Sequence, residues 1–427
     1  MRSLRSTLLV PALVFMALYL AACGAGPSSS GSGPHTGQWH MELDLNGRVL
    51  PFHFDLVRAL DSTWVVNIHN GEEEIVATAV ELLADSFRLR MPLFDSEFIG
   101  RFANDSIIRG VWINYLKGPD YRIPFVARAG DRPRFSAAHG PNTDLSGTWE
   151  THFSARTEDA YPATGLFQQQ PNGKVTGTFL TETGDYRFLE GVVEGDSLKL
   201  SCFDGSHAFL FLARLDQDSL HGRFWSGTHW EEPWMAFRNP HHELRDPNSL
   251  TFLREGYDMV DFTFPDLDGH PVSPNDPVYK NKPVMIQVMG SWCPNCVDES
   301  RLLKEVYAKH HGQGLELISI AFEQHTDTAK AIAGLRRYRE TLGLEHAILY
   351  GGLSGKGRTS EQLPFLNHVM SFPTCIFVDR NGKVRRIHTG FYGPGTGKYY
   401  TAYCSDLNAF VEQLLQEPSG KALVAKK

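Results

Sequence analysis

Residues 283–296 read PVMIQVMGSWCPNC, and this stretch decides how the rest of the chain is interpreted. Its first seven residues are almost all apolar, which is typical of a buried strand. Apolar residues then recur on a helical period from Val297 to Val306. The pattern places Cys293 at a helix N-terminus, where unpaired N–H groups and the helix dipole stabilise a thiolate. Cys293 is therefore predicted to be the attacking nucleophile, and Cys296, one turn further on, the thiol that resolves the mixed disulfide.

Downstream of the motif, strand-like and helical segments alternate, which is typical of an α/β unit. Their order is an apolar strand at 314–322, a helix at 327–342, the stretch Ser371-Phe372-Pro373-Thr374, an Asn381-Gly382 hairpin turn and a last helix at about 401–416. An Asn-Gly pair between two strand-like runs is a strong signal for a hairpin.

This order of elements is similar to the thioredoxin fold, and in detail to the TlpA/ResA-like thiol–disulfide oxidoreductases that bacteria export. The resemblance covers about residues 258–417 and includes Glu299, which lies where the family's C-x-x-E places a glutamate. It implies that Pro373 is a cis-proline that presents backbone to an extended substrate chain, and that Trp292 packs beside the site. The cysteine pair would then exchange disulfides with cysteines in other proteins.

The residues around the pair refine this prediction. Pro294 and Asn295, between the cysteines, and Glu299 are interpreted as supporting residues. The second position of the motif lacks the histidine that favours an oxidant, so a reductase is favoured. Gln287 stands where thioredoxin has a buried acid, and a carboxylate proton relay of that kind is expected to be absent. No organic cofactor or metal is implied, because electrons travel through the disulfide itself.

The region before this unit is predicted to be antiparallel β. Short alternating stretches are separated by Asp-Ser, Asn-Gly and Gly-Asp punctuation. Gly-Gln-Trp at 37–39 matches Gly-Thr-Trp at 147–149, and two further anchors repeat in the same order. The repeats predict two duplicated β modules, each a barrel or a sandwich.

The predicted fold is therefore multi-domain, with duplicated antiparallel β modules followed by an α/β thioredoxin-like domain. The predicted boundaries are 37–130 for the first β module, 145–240 for the second and 250–417 for the thioredoxin-like domain.

The N-terminus has the pattern of an export signal. Residues 1–22 combine a basic start with an apolar run that is too short to span a membrane as a helix. They end in Leu-Ala-Ala before Cys23, which resembles a bacterial lipobox and predicts that Cys23 carries lipid. Residues 23–36 are rich in Gly and Ser and are interpreted as a flexible tether. The protein is thus predicted to be anchored in a bacterial envelope membrane, facing the periplasm or the outside, with inner and outer membrane both left open.

Composition excludes some partners. The chain has 427 residues, 42% of them hydrophobic and 21% charged, which is ordinary for globular protein. A net charge of −8 argues against nucleic acid, because tracking phosphates needs a dense basic surface. The predicted partners are cysteine-containing envelope proteins, the lipid bilayer through Cys23 and, by analogy with the family, a membrane electron donor of the DsbD or CcdA type.

Three alternatives compete with an oxidoreductase. A zinc site would need a second ligand pair at suitable spacing, which the remaining cysteines do not provide. A peroxiredoxin-like peroxidase would carry Pro-x-x-x-Thr/Ser-x-x-Cys, whereas the residue three before Cys293 is Gly290. A β-rich binding lipoprotein could use the thioredoxin-like unit as a scaffold, although both cysteines of the motif are present.

Overall fold

The computed structural model describes residues 34–118 and 120–418. The predicted signal peptide at 1–22 and the lipidation site Cys23 lie outside the described residues, as does most of the 23–36 tether. In the described ranges, none of the helices combines the length and the apolar character that crossing a membrane requires.

The first β region is a nine-stranded antiparallel sheet. Its strands are β1 (Gly37–Asp44), β2 (Val49–Arg58), β3 (Trp64–Asn70), β4 (Glu73–Ala77), β5 (Val80–Leu83), β6 (Ser86–Arg90), β7 (Ser96–Asn104), β8 (Ile107–Asn114) and β9 (Arg122–Ala129). Their order is β4-β3-β2-β1-β9-β8-β7-β6-β5, so the first strand pairs with both the second and the last. We call this barrel-like sheet barrel 1.

Alternating side chains build the core of barrel 1. In β1, Trp39, Met41 and Leu43 are buried, and Phe52 and Phe54 of β2 point into the same cluster. Successive side chains of a strand point to opposite faces, so every second residue lies inside. The Trp39 ring stacks on Phe54 with 5.9 Å between ring centroids. Aromatic side chains thus fill the interior of the sheet.

The second β region is a closed antiparallel barrel. Its strands are β10 (Gly147–Phe153), β11 (Tyr161–Gln169), β12 (Lys174–Thr181), β13 (Gly184–Asp185), β14 (Leu189–Glu194), β15 (Ser197–Phe203), β16 (Ala208–Asp216), β17 (Ser219–Ser226) and β18 (Trp230–Arg238). The order is β11-β10-β18-β17-β16-β15-β14-β12-β13, and a further β11–β12 pairing closes the ring. Closure removes free sheet edges. We call this sheet barrel 2.

The two β regions share local features. The Trp39 indole donates to the carbonyl of His35 at 3.1 Å, and the Trp149 indole donates to the carbonyl of Leu145 at 2.9 Å. The β-rich N-terminal part is therefore confirmed, and both sheets are barrel-like. Their duplication stays a prediction.

The C-terminal region is an α/β domain. Its strands are β19 (Phe264–Pro265), β20 (Pro271–Val272), β21 (Val284–Met289), β22 (Glu316–Glu323), β23 (Ala347–Leu353), β24 (Thr374–Val378) and β25 (Val384–Thr389). Its helices are α1 (Pro294–His310), α2 (Thr328–Leu342), α3 (Lys356–Gln362) and α4 (Lys398–Gln416). The main sheet has the order β23-β22-β21-β24-β25, parallel across its first three strands and antiparallel across the rest.

The central strand β21 positions the cysteine motif. Every residue of β21 and β22 is buried, as expected for parallel strands that are covered on both faces. Met285 of β21 shares one cluster with Leu303 of α1 and Val411 of α4. The strand ends at Met289, directly before the motif, and α1 begins between the two cysteines. The motif therefore lies at the carboxyl end of the central strand.

The three regions are packed together. Phe203 of barrel 2 enters the core of barrel 1, where its ring lies 4.7 Å from Phe52 and 5.1 Å from Trp112 between centroids. Leu93 of barrel 1 belongs to the apolar cluster that contains Cys293 and Cys296. Both barrels consequently contribute to the surroundings of the cysteine motif.

Candidate active site

Cys293 is the N-cap residue of α1. Its Sγ accepts a hydrogen bond from the backbone N–H of Cys296 at 3.3 Å, as an N-cap side chain does. The thiol also donates to the carbonyl of Phe372 at 3.3 Å. Cys293 is only 6% exposed, and all cysteines in the described part of the chain are free thiols. The motif is thus held as a dithiol, with Cys293 at the positive end of a helix.

Cys296 is the inner thiol of the pair. It is fully buried, and burial raises the pKa of its thiol well above the usual range. Its carbonyl accepts a hydrogen bond from the Tyr338 hydroxyl at 3.1 Å. A thiol in this environment is protonated at neutral pH and must lose its proton before it can attack.

A buried carboxyl lies one turn beyond Cys296. Glu299 is fully buried, and burial raises its pKa to about 8. Its Oε2 accepts a hydrogen bond from the Gln287 amide at 2.9 Å, whereas its Oε1 has no partner among the described residues. The Gln287 amide also approaches the carbonyl of Cys296 at 3.4 Å. β21 has a glutamine, Gln287, where the sequence comparison with thioredoxin expects an acid, but α1 places the Glu299 carboxyl next to it.

The Phe372–Pro373 peptide bond is cis. The carbonyl of Phe372 accepts a hydrogen bond from the Cys293 thiol, and the carbonyl of Pro373 accepts one from the N–H of Gly390 at 2.9 Å. The Trp292 indole donates to the carbonyl of Phe322 at 2.9 Å, and its ring packs edge-on against Phe372 at 5.4 Å between centroids. Cys293, Trp292 and the cis Phe372–Pro373 bond therefore lie next to one another.

The two residues between the cysteines have different surroundings. Pro294 is the first residue of α1, where its missing N–H costs nothing because that group has no helical partner. The Asn295 amide donates to the carbonyls of Asp185 in barrel 2, at 3.2 Å, and of Phe391, at 3.4 Å. Asn295 is thus part of a contact between domains.

Sequence reasoning missed the barrel residues that surround the motif. Ser206 of barrel 2 donates through its Oγ to the carbonyl of Trp292 at 3.1 Å. Arg187, also from barrel 2, forms ion pairs with Asp298 of α1 and Glu73 of barrel 1. No local signal in a single sequence shows which distant loops meet, so these contacts could not be predicted.

A cavity of about 590 Å³ lies beside Trp292, between barrel 1 and the C-terminal domain. Phe94 and Tyr115 line it from barrel 1, and Arg337 lines it from α2. Nowhere in the described ranges, the cavity included, are three or more His, Cys, Asp or Glu side chains grouped so that they could hold a metal ion.

Residues 256–387 match the model of the AhpC/TSA family. The chain is 26% identical over 140 residues to the thiol-disulfide oxidoreductase ResA of Geobacillus kaustophilus, covering 33% of this chain and 72% of that protein. It is 28% identical over 162 residues to the thiol:disulfide interchange protein DsbE of Escherichia coli, covering 38% and 78%. A thioredoxin-family thiol:disulfide interchange protein from Chlorobium tepidum, of known structure, has a TM-score of 0.29 at 17% identity over 38% of this chain and 98% of its own.

The family match and the two curated relatives confirm the resemblance drawn from the sequence. The C-terminal domain is a thioredoxin-fold domain with ResA and DsbE relatives, and the predicted enzyme class, thioredoxin-like thiol–disulfide oxidoreductase, is confirmed.

Proposed function

We propose that this protein exchanges disulfides with cysteine pairs of other proteins through Cys293 and Cys296, and that it acts as a reductase. The observation that carries the proposal is the geometry of Cys293, which caps α1, accepts the N–H of Cys296 and lies beside the cis Phe372–Pro373 bond. A thiolate at this position is stabilised by the helix N-terminus, and a second thiol lies within one helical turn.

The reaction proceeds in two exchanges. The Cys293 thiolate attacks one sulfur of a substrate disulfide, forming a mixed disulfide and releasing one substrate thiolate. The Cys296 thiolate then attacks Cys293 Sγ, closes the intramolecular disulfide and releases the second substrate thiolate. Two electrons pass from the dithiol to the substrate, and the two protons of the dithiol end on the substrate thiols. No organic cofactor or metal takes part.

Glu299 influences how readily Cys296 forms the thiolate that attacks in the second exchange. With a pKa of about 8, its carboxyl is mostly neutral at pH 7 and adds little negative charge beside Cys296. An ionised Glu299 would oppose the thiolate, since its charge raises the pKa of Cys296. Gln287 holds the carboxyl in place through its amide. We therefore assign Glu299 the role of a residue that tunes the inner thiol.

The remaining predicted residues support the exchange. Pro373 presents backbone to an extended substrate chain, and Trp292 packs beside the reacting sulfurs. Pro294 begins the helix whose N-terminus stabilises the thiolate, and Asn295 holds the motif against barrel 2.

The proposed location is the bacterial envelope. The lipobox-like ending before Cys23 and the apolar segment ahead of it support export and lipid anchoring in a membrane. Cysteine-containing envelope proteins would then be the substrates. A membrane electron donor of the DsbD or CcdA type would return Cys293 and Cys296 to the dithiol after each turnover.

A trapping experiment tests the proposal. In the Cys296→Ser variant, the mixed disulfide on Cys293 has no resolving thiol, so it should accumulate when a disulfide-bearing peptide is added. Mass spectrometry should show the peptide adduct on Cys293, and dithiothreitol should remove it. If no adduct forms at Cys293, the exchange proposed here does not take place.

A further inference from the structure

A turn of barrel 2 lies against the rim of the redox site. Residues Thr183–Arg187, which we call the barrel-2 turn, contact three loops of the C-terminal domain. The Ser371 hydroxyl, two residues before Pro373, donates to the carbonyl of Thr183 at 2.6 Å. The Asn295 amide donates to the carbonyl of Asp185, and the N–H of Gly393 donates to the Asp185 carboxylate at 2.6 Å. The turn thus touches the motif, the cis-proline loop and the loop after β25.

The fit leaves no gap between the turn and these loops. A Cβ added to Gly184 would lie 2.3 Å from the Asn295 amide nitrogen, and one added to Gly390 would lie 2.9 Å from the carbonyl carbon of Thr183. Both distances are shorter than van der Waals contact allows. Gly184 also has φ of +142°, a conformation that other residues rarely adopt. A substrate backbone therefore has no room between the turn and Asn295 or between the turn and Gly390.

Buried ion pairs hold the barrel-2 turn in position. Arg187 is 6% exposed and pairs with Asp298, two residues after Cys296, and with Glu73 of barrel 1. Its Nε also lies 3.7 Å from Asp204 of barrel 2. Removing one partner from such a network leaves a buried charge without compensation. The barrel-2 turn is therefore a fixed part of the site in this structure.

A cavity lies next to the motif and is lined by Ser291 and Trp292, the two residues before Cys293. The cavity beside Trp292 has a volume of about 590 Å³, within the range of roughly 300–1,000 Å³ that is common for sites that hold small ligands. A folded partner usually needs about 800 Å² of surface on each side. The cavity is large enough for a short extended segment, whereas the rim that could support a folded surface is occupied.

We propose that the barrel-2 turn determines substrate specificity: it excludes folded surfaces and restricts the enzyme to disulfides in flexible polypeptide segments, which approach Cys293 from the cavity beside Trp292. The proposal rests on the exchange described under the proposed function and adds no chemical step to it. A flexible segment can extend into the cavity and bring its sulfur to Cys293. A disulfide on the surface of a folded protein cannot reach Cys293, because the surrounding surface would collide with the barrel-2 turn.

The test compares two probes with the same reactive group. One is a Gly/Ser-rich peptide with a single cysteine, and the other is ubiquitin with a single engineered surface cysteine, each carrying that cysteine as the mixed disulfide with thionitrobenzoate. Attack by Cys293 followed by resolution by Cys296 releases one thionitrobenzoate per probe, whichever sulfur is attacked first. The full-length protein in its dithiol form should react at least about tenfold faster with the peptide.

The Gly184→Leu variant should reduce this preference. The new side chain cannot fit between the turn and Asn295, so it displaces the turn and opens the rim. The rate with the ubiquitin probe should rise relative to that with the peptide, and the ratio should approach one. Gly130→Leu is the matched control, because Gly130 has φ of +100° and nothing lies within 4 Å of an added Cβ. Its ratio should equal that of the wild type.

Two results would overturn the proposal. One is a wild-type protein that reacts equally fast with both probes, and the other is a folded Gly184→Leu variant that keeps the wild-type ratio. If circular dichroism shows that Gly184→Leu does not fold, Asp185→Ala takes its place, because it removes the acceptor of the Gly393 N–H. A wild-type protein that releases no thionitrobenzoate from either probe would instead contradict the proposed function.

Discussion

The redox site has two halves that are built differently. In the C-terminal half, Cys293, Cys296 and Glu299 lie on one helical segment, held by backbone capping and by a buried hydrogen bond to Gln287. In the barrel half, Arg187 and other polar side chains reach the motif across domain boundaries. The first half contains the groups that react, and the second controls their surroundings. Substitutions in the two halves should therefore change different measured quantities.

The largest expected effect belongs to the reacting half. Cys293→Ser removes the attacking thiolate, so reduction of a disulfide peptide should be lost. The rate is followed by free-thiol release. Cys404→Ser is the control: Cys404 is a half-buried thiol of α4 outside the motif, and its variant should keep the wild-type rate. Full activity in Cys293→Ser would contradict the claim that the C-terminal half contains the reacting groups.

In the barrel half, Arg187→Met should chiefly reduce stability. The substitution removes the buried cation that Asp298, Glu73 and Asp204 share and leaves Asp298 with only the more exposed Arg301. Breaking a buried pair costs about 3–5 kcal/mol. Urea unfolding gives the free energy. The control is Arg101→Met, whose exposed pair with Asp85 contributes about 0–1 kcal/mol. Equal losses of unfolding free energy in both variants would show that the ion pairs of Arg187 do not stabilise the contact between the two halves.

Glu299 should make stability depend on pH. Its pKa is raised from the ordinary 4.5 to about 8 by burial, so between these values the folded protein binds a proton that the unfolded chain has released. Stability from this group is therefore lost as pH rises from about 4.5 to about 8.

Glu299→Gln should remove that loss. In urea unfolding, the difference in unfolding free energy between the variant and the wild type should therefore shift in favour of the variant as the pH rises from about 5 to about 9. Glu412→Gln is the control, because Glu412 is exposed and the hydrogen bond from Lys309 lowers its pKa. If Glu299→Gln and the wild type lose stability in parallel, the carboxyl is not buried as described.

The smallest expected effect tests one contact between the halves. Ser206→Ala removes the hydrogen bond to the carbonyl of Trp292 and should cost about 0.5–1.5 kcal/mol, measured by urea unfolding. The control, Ser106→Ala, removes a hydrogen bond to Asp105 within an exposed turn and should cost less. A larger loss in the control would show that the Ser206 contact contributes little.

The same contrast explains what could be predicted from the sequence. The strand before Cys293, the helix after it and the Asn381-Gly382 turn follow from local periodicity and turn chemistry, and the structure has β21, α1 and the β24–β25 hairpin there. The α/β domain and the β-rich region before it were accordingly predicted. The enzyme class followed from the spacing of the cysteines and the resemblance it supports.

The barrel half could not be predicted because its contacts are distant in sequence. The ion pair between Arg187 and Asp298 joins residues 111 positions apart, and neither stands in a recognisable motif. The position of the barrel-2 turn beside the motif depends on how the three domains pack against one another. The raised pKa of Glu299 likewise depends on burial, which the C-x-x-E spacing does not reveal.

The reduction potential of the Cys293–Cys296 pair tests the central claim most directly. The full-length protein is equilibrated in glutathione or dithiothreitol buffers, and its free thiols are trapped and counted. We expect a single two-electron couple at about −220 mV or below, as for a reductase. A value near about −120 mV would contradict the reductase role, and the absence of a two-electron couple would contradict the proposed exchange altogether.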